Sequence, residues 1–185
     1  RGETFVTRKI TRAVAQIVLG LRDKLYMGNL SSERDWGHAK DYVKAMHLML
    51  QQDEPEDFVI ATGVKTEVRE FIRMAFREAG VEVEFKGKGI DEKGYISGIG
   101  NLPEDSVLNK NSVGKCIIEV DAEYFRPTEV DLLLGNPEKA MQKLGWKPQY
   151  NLNDLVKEMV AGDMVIMRRE KALMGMGFRS ENMTE

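Results

Sequence analysis

Segments with helical periodicity alternate along this 185-residue chain with short apolar segments typical of strands, and this alternation limits the fold more than any other feature. The first helical segment, over about residues 5–20, has apolar residues spaced three and four apart from Val6 to Leu21. Repeated changes between the two periods predict the α/β class, with helices packed on a sheet. Strands are predicted at 25–27, 57–61, 81–85 and 116–120, and later helices at 39–50, 68–76, 137–145 and from about 153.

A single domain is expected, because the predicted elements show no internal repeat and no sign of a second core. With 42% hydrophobic residues, the chain can bury one sizeable core. We assign this domain to residues 1–174 and a flexible tail to residues 175–185. Six glycines between residues 86 and 115 predict a long glycine-rich loop or an irregular hairpin within the domain.

Composition excludes several classes of function. The net charge of -3 comes from 27 basic and 30 acidic residues without a basic stripe, so nucleic acid is not an expected partner. Cys116 is the only cysteine, which excludes a disulfide framework and favours a small buried hydrophobe over a nucleophile. No metal site is predicted, because His38 and His47 fall on opposite sides of a helix and structural roles suit them better.

The chain also carries no signal for insertion into a membrane or for export. No uninterrupted apolar run approaches the roughly 20 residues that a membrane span needs, and the N-terminus has no charged-then-apolar signal pattern. With one cysteine, a reducing, cytoplasmic setting is expected. The chain opens without an initiator methionine, which is typical of a piece of a longer protein and equally of a trimmed mature chain.

Two patterns needed for hydride-transfer chemistry are missing from the sequence. A dinucleotide-binding turn requires three glycines at fixed spacing, but Glu92 follows the pair Gly87 and Gly89, and Pro103 follows Gly98 and Gly100. No tyrosine is followed four residues later by a lysine, so the acid/base pair of a dehydrogenase active site is absent. We therefore assign no catalytic residue.

The remaining polar candidates lie at the ends of predicted elements. Thr7 and Lys9 occupy the first turns of the first helix, where the helix dipole and a lysine favour an anion. On periodicity alone, Lys9 is better explained as a solvated charge. Gly28 and Asn29 end a strand and suit either a ligand contact or an ordinary turn.

Two arginines in polar loops are the stronger candidates. Arg34 lies beside Trp36 and Gly37 at a helix start, and Arg126 precedes a proline, with Glu129 three residues on. An arginine offers a planar fork for phosphate oxygens, and a carboxylate accepts hydrogen bonds from sugar hydroxyls. A polar loop with an arginine beside tryptophan and glycine at a helix start is costly unless a ligand is held there.

Five stretches of the chain closely resemble the GDP-mannose 4,6-dehydratase family of the extended short-chain dehydrogenase/reductase superfamily. The resemblance extends over almost the whole chain and weakens in the glycine-rich stretch and after about Asp163. The stretches are Arg1 to Thr11, Arg34 to Lys44, Met49 to Gly63, Tyr124 to Val130 and Leu133 to Pro148.

The resemblance implies a fold, a reaction and partners. It implies the C-terminal substrate-binding portion of an extended short-chain dehydrogenase/reductase, with the Rossmann core missing from this chain. Family members convert GDP-mannose to GDP-4-dehydro-6-deoxy-D-mannose with NADP, which the N-terminal Rossmann half binds. The implied partners are therefore GDP-mannose, that N-terminal half and further copies of the protein, as a dimer or a tetramer. The family's catalytic residues precede this chain, so the chain alone is expected to be inactive.

The resemblance also implies roles for single residues. Arg34 and Arg126 are implied to bind phosphate oxygens, and Glu129 to accept from the ribose hydroxyls. Thr7 and Lys9 are implied to approach the guanosine diphosphate, Gly28 and Asn29 to line the nucleotide pocket, and Arg1 to touch NADP. For Lys9 the resemblance reverses the preference for a solvated charge.

Two alternatives stay open at this stage. The sister reductase of GDP-4-keto-6-deoxymannose shares the fold and the nucleotide pocket, although the stretch from Arg34 to Met46 favours the dehydratase. A free-standing module that binds GDP-sugars without catalysis is the alternative from another functional class. The length of the gene upstream would distinguish this module from part of an enzyme.

Overall fold

The computed structural model describes residue 2 and residues 5–178, and these residues form five α-helices and seven β-strands. The predicted α/β class is confirmed. Among the described residues, no helix is both long and apolar enough to cross a membrane. The helices are α1 (Val6–Leu19), α2 (Ala39–Met49), α3 (Val68–Glu78), α4 (Glu138–Leu144) and α5 (Leu152–Gly175), and the strands are β1 (Leu25–Met27), β2 (Glu33–Asp35), β3 (Lys65–Glu67), β4 (Val81–Lys86), β5 (Lys93–Ile99), β6 (Cys116–Val120) and β7 (Leu132–Leu133).

A four-stranded mixed sheet in the order β1-β6-β5-β4 carries the main core. Strands β1 and β6 pair in parallel, and β5 pairs antiparallel with both of its neighbours. Helix α1 packs against α3 and α5 and is buried on every side from Ile10 to Leu19. It is therefore the central helix of the core, whereas its apolar stripe alone predicts a helix with one exposed face.

A smaller three-stranded sheet has the order β3-β2-β7, and its strand β3 contacts α3. Helices α2 and α4 pack against each other. A second apolar cluster of Ala45, Ala140, Leu144 and Trp146 joins the two helices. Buried Asp41 joins α2 to the segment that follows α4, because its carbonyl oxygen accepts from the indole N–H of Trp146 at 2.8 Å. Its carboxylate accepts from the backbone N–H groups of Gln149 and Tyr150, both at 3.1 Å.

The strand predicted at 57–61 is wrong. Residues 57–61 form no strand, because they pair with none of the described strands. Their apolar run is explained by packing, since Phe58 and Ile60 pack against the second cluster while Val59 is exposed. Helix α2 lies where the sequence predicts it, but it buries a different face. Ala45 is buried, while Val43 and Met46, which the apolar stripe places on the buried face, are 63% and 57% exposed.

The glycine-rich stretch from 86 to 115 contains the second half of a β-hairpin. Strands β4 and β5 pair antiparallel around a short 3₁₀ helix at Gly89–Asp91, and residues 100–115 form an irregular connection with a second 3₁₀ helix. Gly87 has a φ of +89°, and a Cβ there would lie 2.5 Å from the carbonyl oxygen of Asp91. The hairpin turn thus needs glycine. The predicted tail stays a prediction, because residues 179–185 lie outside the described residues.

Replacing Asp41 by alanine should lower the free energy of unfolding by about 1–3 kcal/mol, because two backbone N–H groups lose their carboxylate acceptor. Urea denaturation measures the change. Exposed Asp53 supplies the control, and Asp53→Ala should stay within about 0.5 kcal/mol of the wild type. Equal stability of the two variants would contradict the anchoring role of Asp41.

Candidate functional site

A cavity of about 370 Å³ opens between the start of α1, the end of β1, strand β2 and the loop that follows β6. Its wall brings together residues that are far apart in sequence and that the sequence predicts to bind substrate. The predicted residues in this wall are Lys9, Gly28, Asn29, Arg34, Arg126 and Glu129.

Arg34 is fixed at one side of the cavity by the loop of residues 121–130. One guanidinium nitrogen lies 2.8 Å from a carboxylate oxygen of Glu129. The other donates to the carbonyl oxygens of Val130 at 2.8 Å and of Glu33 at 2.9 Å. Because β2 holds the backbone of Arg34 between two strands, this ion pair joins the loop to the smaller sheet.

Arg126 has the opposite character, with a fixed backbone and an extended side chain. Its side chain is 77% exposed, and its guanidinium lies 3.8 Å from the second carboxylate oxygen of Glu129. The side-chain amide of Asn29 accepts from the backbone N–H of Arg126 at 2.9 Å and donates to its carbonyl oxygen at 2.8 Å. The loop therefore presents the Arg126 guanidinium to the cavity and to solvent.

Lys9 lies in the first turns of α1 with its ammonium group 3.6 Å from the centre of the Tyr124 ring. A cation over an aromatic face is stabilised by the electrons of the ring. Both residues belong to the cavity wall. The structure therefore places Lys9 in a defined position beside the two arginines.

Gly28 is required by the close approach of two backbone segments. A Cβ at this position would lie 2.3 Å from the carbonyl oxygen of Tyr124. The backbone N–H of Asp121 also donates to the carbonyl oxygen of Met27 at 2.9 Å. The end of β1 thus holds the start of the loop, and only glycine permits the approach.

Among the predicted site residues that the structure describes, only Thr7 is not brought to the cavity wall. Thr7 is fully buried on α1, and its hydroxyl has no hydrogen-bond partner within the described part of the chain. Its side chain faces the interior because α1 is covered on that side. Arg1, predicted to contact the cofactor, lies outside the described residues.

Glu123 and Tyr124 belong to the cavity wall but are absent from the sequence-based assignment. The signal that identifies Tyr124 is an aromatic residue two positions before an arginine that is already a candidate. The wall carries the cations Lys9, Arg34 and Arg126 and the carboxylates of Glu123 and Glu129, so cations exceed anions by one. This arrangement suits a ligand that carries both negative charge and hydroxyl groups.

His38 and Cys116, a histidine and the only cysteine of the sequence, show structural features rather than a reactive site. The ring of His38 caps α2 by accepting from the backbone N–H of Lys40 at 3.2 Å and stacks on Tyr150. Burial raises the pKa of the Cys116 thiol, which disfavours the reactive thiolate. No group of three or more potential metal ligands occurs among the described residues.

A second cavity, of about 320 Å³, lies between α2 and α5. Asp163 in its wall is 2% exposed, accepts from the Thr11 hydroxyl at 2.6 Å and lies 2.8 Å from the guanidinium of Arg8. Burial raises the pKa of Asp163, while Thr11 and Arg8 act in the opposite direction. These contacts satisfy the carboxylate and join the two ends of the sequence, from α1 to α5.

A comparison with known families identifies the chain. The family described as "GDP-mannose 4,6 dehydratase" matches residues 1–159. The chain belongs to this family. It is similar to the GDP-mannose 4,6-dehydratase of Yersinia enterocolitica, with 57% identity over 96% of this chain and 47% of that protein. The human GDP-mannose 4,6 dehydratase is 50% identical over 91% of this chain and 41% of that protein. The chain thus spans less than half the length of these relatives.

Solved structures with low sequence identity share the fold of this GDP-mannose 4,6-dehydratase family member. The RMD protein from Pseudomonas aeruginosa, complexed with NADPH, superposes with a TM-score of 0.66 at 17% identity, covering 90% of this chain and 44% of that one. The dTDP-glucose 4,6-dehydratase from Bacillus anthracis, in complex with NAD, gives a TM-score of 0.60 at 16% identity, covering 92% of this chain and 41% of that one.

Replacing Gly28 by alanine should lower the free energy of unfolding by about 1–3 kcal/mol, because the new methyl group overlaps the carbonyl oxygen of Tyr124. Thermal unfolding measures this loss. Gly162 is the matched control, since it lies inside α5 with no heavy atom within 4 Å of an added Cβ. Gly162→Ala should raise stability by about 0.5–1 kcal/mol through helix propensity. A stabilising effect of Gly28→Ala would contradict the close approach.

Proposed function

We propose that this chain is the GDP-mannose-binding part of a GDP-mannose 4,6-dehydratase, which converts GDP-mannose to GDP-4-dehydro-6-deoxy-D-mannose. The observation that carries the proposal is the convergence of Lys9, Arg34 and Arg126 on one cavity, each from a different part of the chain. Each of these residues also lies in a stretch that resembles the family. Identities of 50–57% to dehydratases support this activity over that of the sister reductase.

The charges of the cavity support a nucleoside diphosphate as the ligand. The Arg126 side chain is much more exposed than that of Arg34, the other arginine in the wall, and it offers its planar fork to the diphosphate. Lys9 supplies a second cation from the start of α1, where the helix dipole also favours an anion. Glu123 and Glu129 supply acceptors for hydroxyl groups of the ribose or the sugar.

Thr7 is buried behind this wall, so its proposed contribution is to the packing of α1 beside the site rather than to a direct contact.

The described residues do not fit a dinucleotide cofactor. Gly87 and Gly89 belong to the β4–β5 hairpin, whereas a dinucleotide turn connects a strand to a helix. We therefore assign NADP and the catalytic residues to an N-terminal Rossmann half, which completes the enzyme together with this chain. A homo-oligomeric assembly and a cytoplasmic setting belong to the same proposal, as does a contact between Arg1 and NADP.

Replacing Arg126 by alanine should lower the affinity for GDP by about ten- to several-hundredfold, because it removes charge-assisted hydrogen bonds worth roughly 1.5–3 kcal/mol each. Titration calorimetry with GDP measures the affinity. Lys157 lies on an exposed position of α5, so Lys157→Ala serves as a control that also removes one positive charge. Equal affinities for the wild type and both variants would remove the phosphate-binding role of Arg126.

The 185-residue chain, mixed with GDP-mannose and NADP, should form no 4-keto product, because the catalytic residues belong to the other half of the proposed enzyme. Product formation is followed by the absorbance of the 4-keto sugar in alkali, with buffer as the blank. Turnover above the blank would show that this chain holds catalytic residues of its own.

A further inference from the structure

Asn29 lies in the cavity wall, and both polar atoms of its side-chain amide bond to the protein. Its oxygen accepts from the backbone N–H of Arg126 at 2.9 Å, and its nitrogen donates to the carbonyl oxygen of the same residue at 2.8 Å. The two residues are 97 positions apart in the sequence. One side chain therefore binds both the backbone N–H and the carbonyl oxygen of Arg126.

The two hydrogen bonds hold the loop at the point where the Arg126 side chain leaves it. Backbone contacts hold the loop near its two ends. At the start these are Met27 with Asp121 and Gly28 with Tyr124, and just after the loop the N–H of Glu33 donates to the carbonyl oxygen of Asp131 at 2.7 Å. Further along, the Arg126 carbonyl oxygen also accepts from the N–H of Glu129 at 3.3 Å. Asn29 thus connects the end of β1 directly to the residue that carries the exposed guanidinium.

The Arg126 side chain depends on its backbone for its direction. It is 77% exposed, and its guanidinium lies 3.8 Å from Glu129, beyond ordinary hydrogen-bond distance. An exposed arginine with a mobile backbone loses conformational freedom when it binds an anion, and this loss weakens binding. A fixed backbone removes part of that cost before the ligand arrives.

We infer that Asn29 is a positioning residue of the anion site, which acts through Arg126 rather than by contacting the nucleotide itself. The inference rests on the proposed function, because it assumes that Arg126 binds the diphosphate. It differs from the direct nucleotide contact that the family resemblance implies for Asn29. If it is correct, the contribution of Asn29 to affinity depends on the presence of the Arg126 guanidinium.

A double-mutant cycle tests this dependence. The wild type, Asn29→Ala, Arg126→Ala and the double variant are titrated with GDP and, separately, with pyrophosphate. Asn29→Ala should weaken both ligands by about tenfold in the wild-type background, since preorganisation serves the phosphates that the two ligands share. In the Arg126→Ala background, the same substitution should change either affinity by less than about twofold.

The other outcomes overturn the inference in recognisable ways. An equal loss from Asn29→Ala in both backgrounds would mean that Asn29 contacts the ligand directly. A loss for GDP without a loss for pyrophosphate would place Asn29 on the nucleoside. No loss in either background would leave Asn29 without a role in the site. Absence of GDP binding by the wild type would instead overturn the proposed function.

Thermal unfolding of each variant separates a local change from loss of the fold. Asn29→Ala should unfold near the temperature of the wild type, because its two hydrogen bonds lie in an exposed loop. If Asn29→Ala does not fold, Asn29→Ser replaces it in the cycle, since the hydroxyl keeps one polar contact without reaching both backbone groups. The same affinity ratios then decide between the outcomes.

Discussion

The loop of residues 121–130 is held against two sheets at once, and the candidate site depends on this attachment. The end of β1 holds the start of the loop, where Gly28 lets the Tyr124 carbonyl approach. The ion pair of Arg34 with Glu129, at 2.8 Å, ties its far end to the smaller sheet. Because the loop bridges the two sheets, the cavity lies at their junction, and its shape depends on both cores.

Burial of α1 connects this site to the stability of the molecule. From Ile10 to Leu19 the helix is buried on every side, so its direction is set by the whole core. Its first turns, which carry Lys9, emerge at the cavity. The buried contacts of Asp163 with Thr11 and Arg8 hold the same end of α1 against α5. The position of Lys9 is therefore fixed by long-range packing, although the residue itself lies at the surface of the site.

The sequence predicts an element correctly where a local pattern, such as an apolar face or a terminal glycine, is enough to define it. Helix α3 is confirmed because Phe71 and Ile72 face the core in the expected pattern, and α4 because Gly145 ends it in the left-handed conformation. Strands β2 and β3 escape prediction because all their residues are polar, and β7 because it is only two residues long. They form only when segments such as β2 and β7, about 100 residues apart, come together.

For the site, sequence patterns identify the chemistry of a residue better than the direction of its side chain. Arg34 and Arg126 are both arginines in polar loops, yet Arg34 is held by three acceptors while Arg126 extends toward solvent. The charges around the cavity explain why one arginine is held by a carboxylate while the other stays extended. Two arginines and a lysine around one cavity repel each other, and the Glu129 carboxylate lowers that repulsion while it holds Arg34. The same carboxylate repels a bound anion. Tight binding therefore requires a ligand whose hydroxyl groups bond to the carboxylate, or whose phosphate contacts outweigh this repulsion.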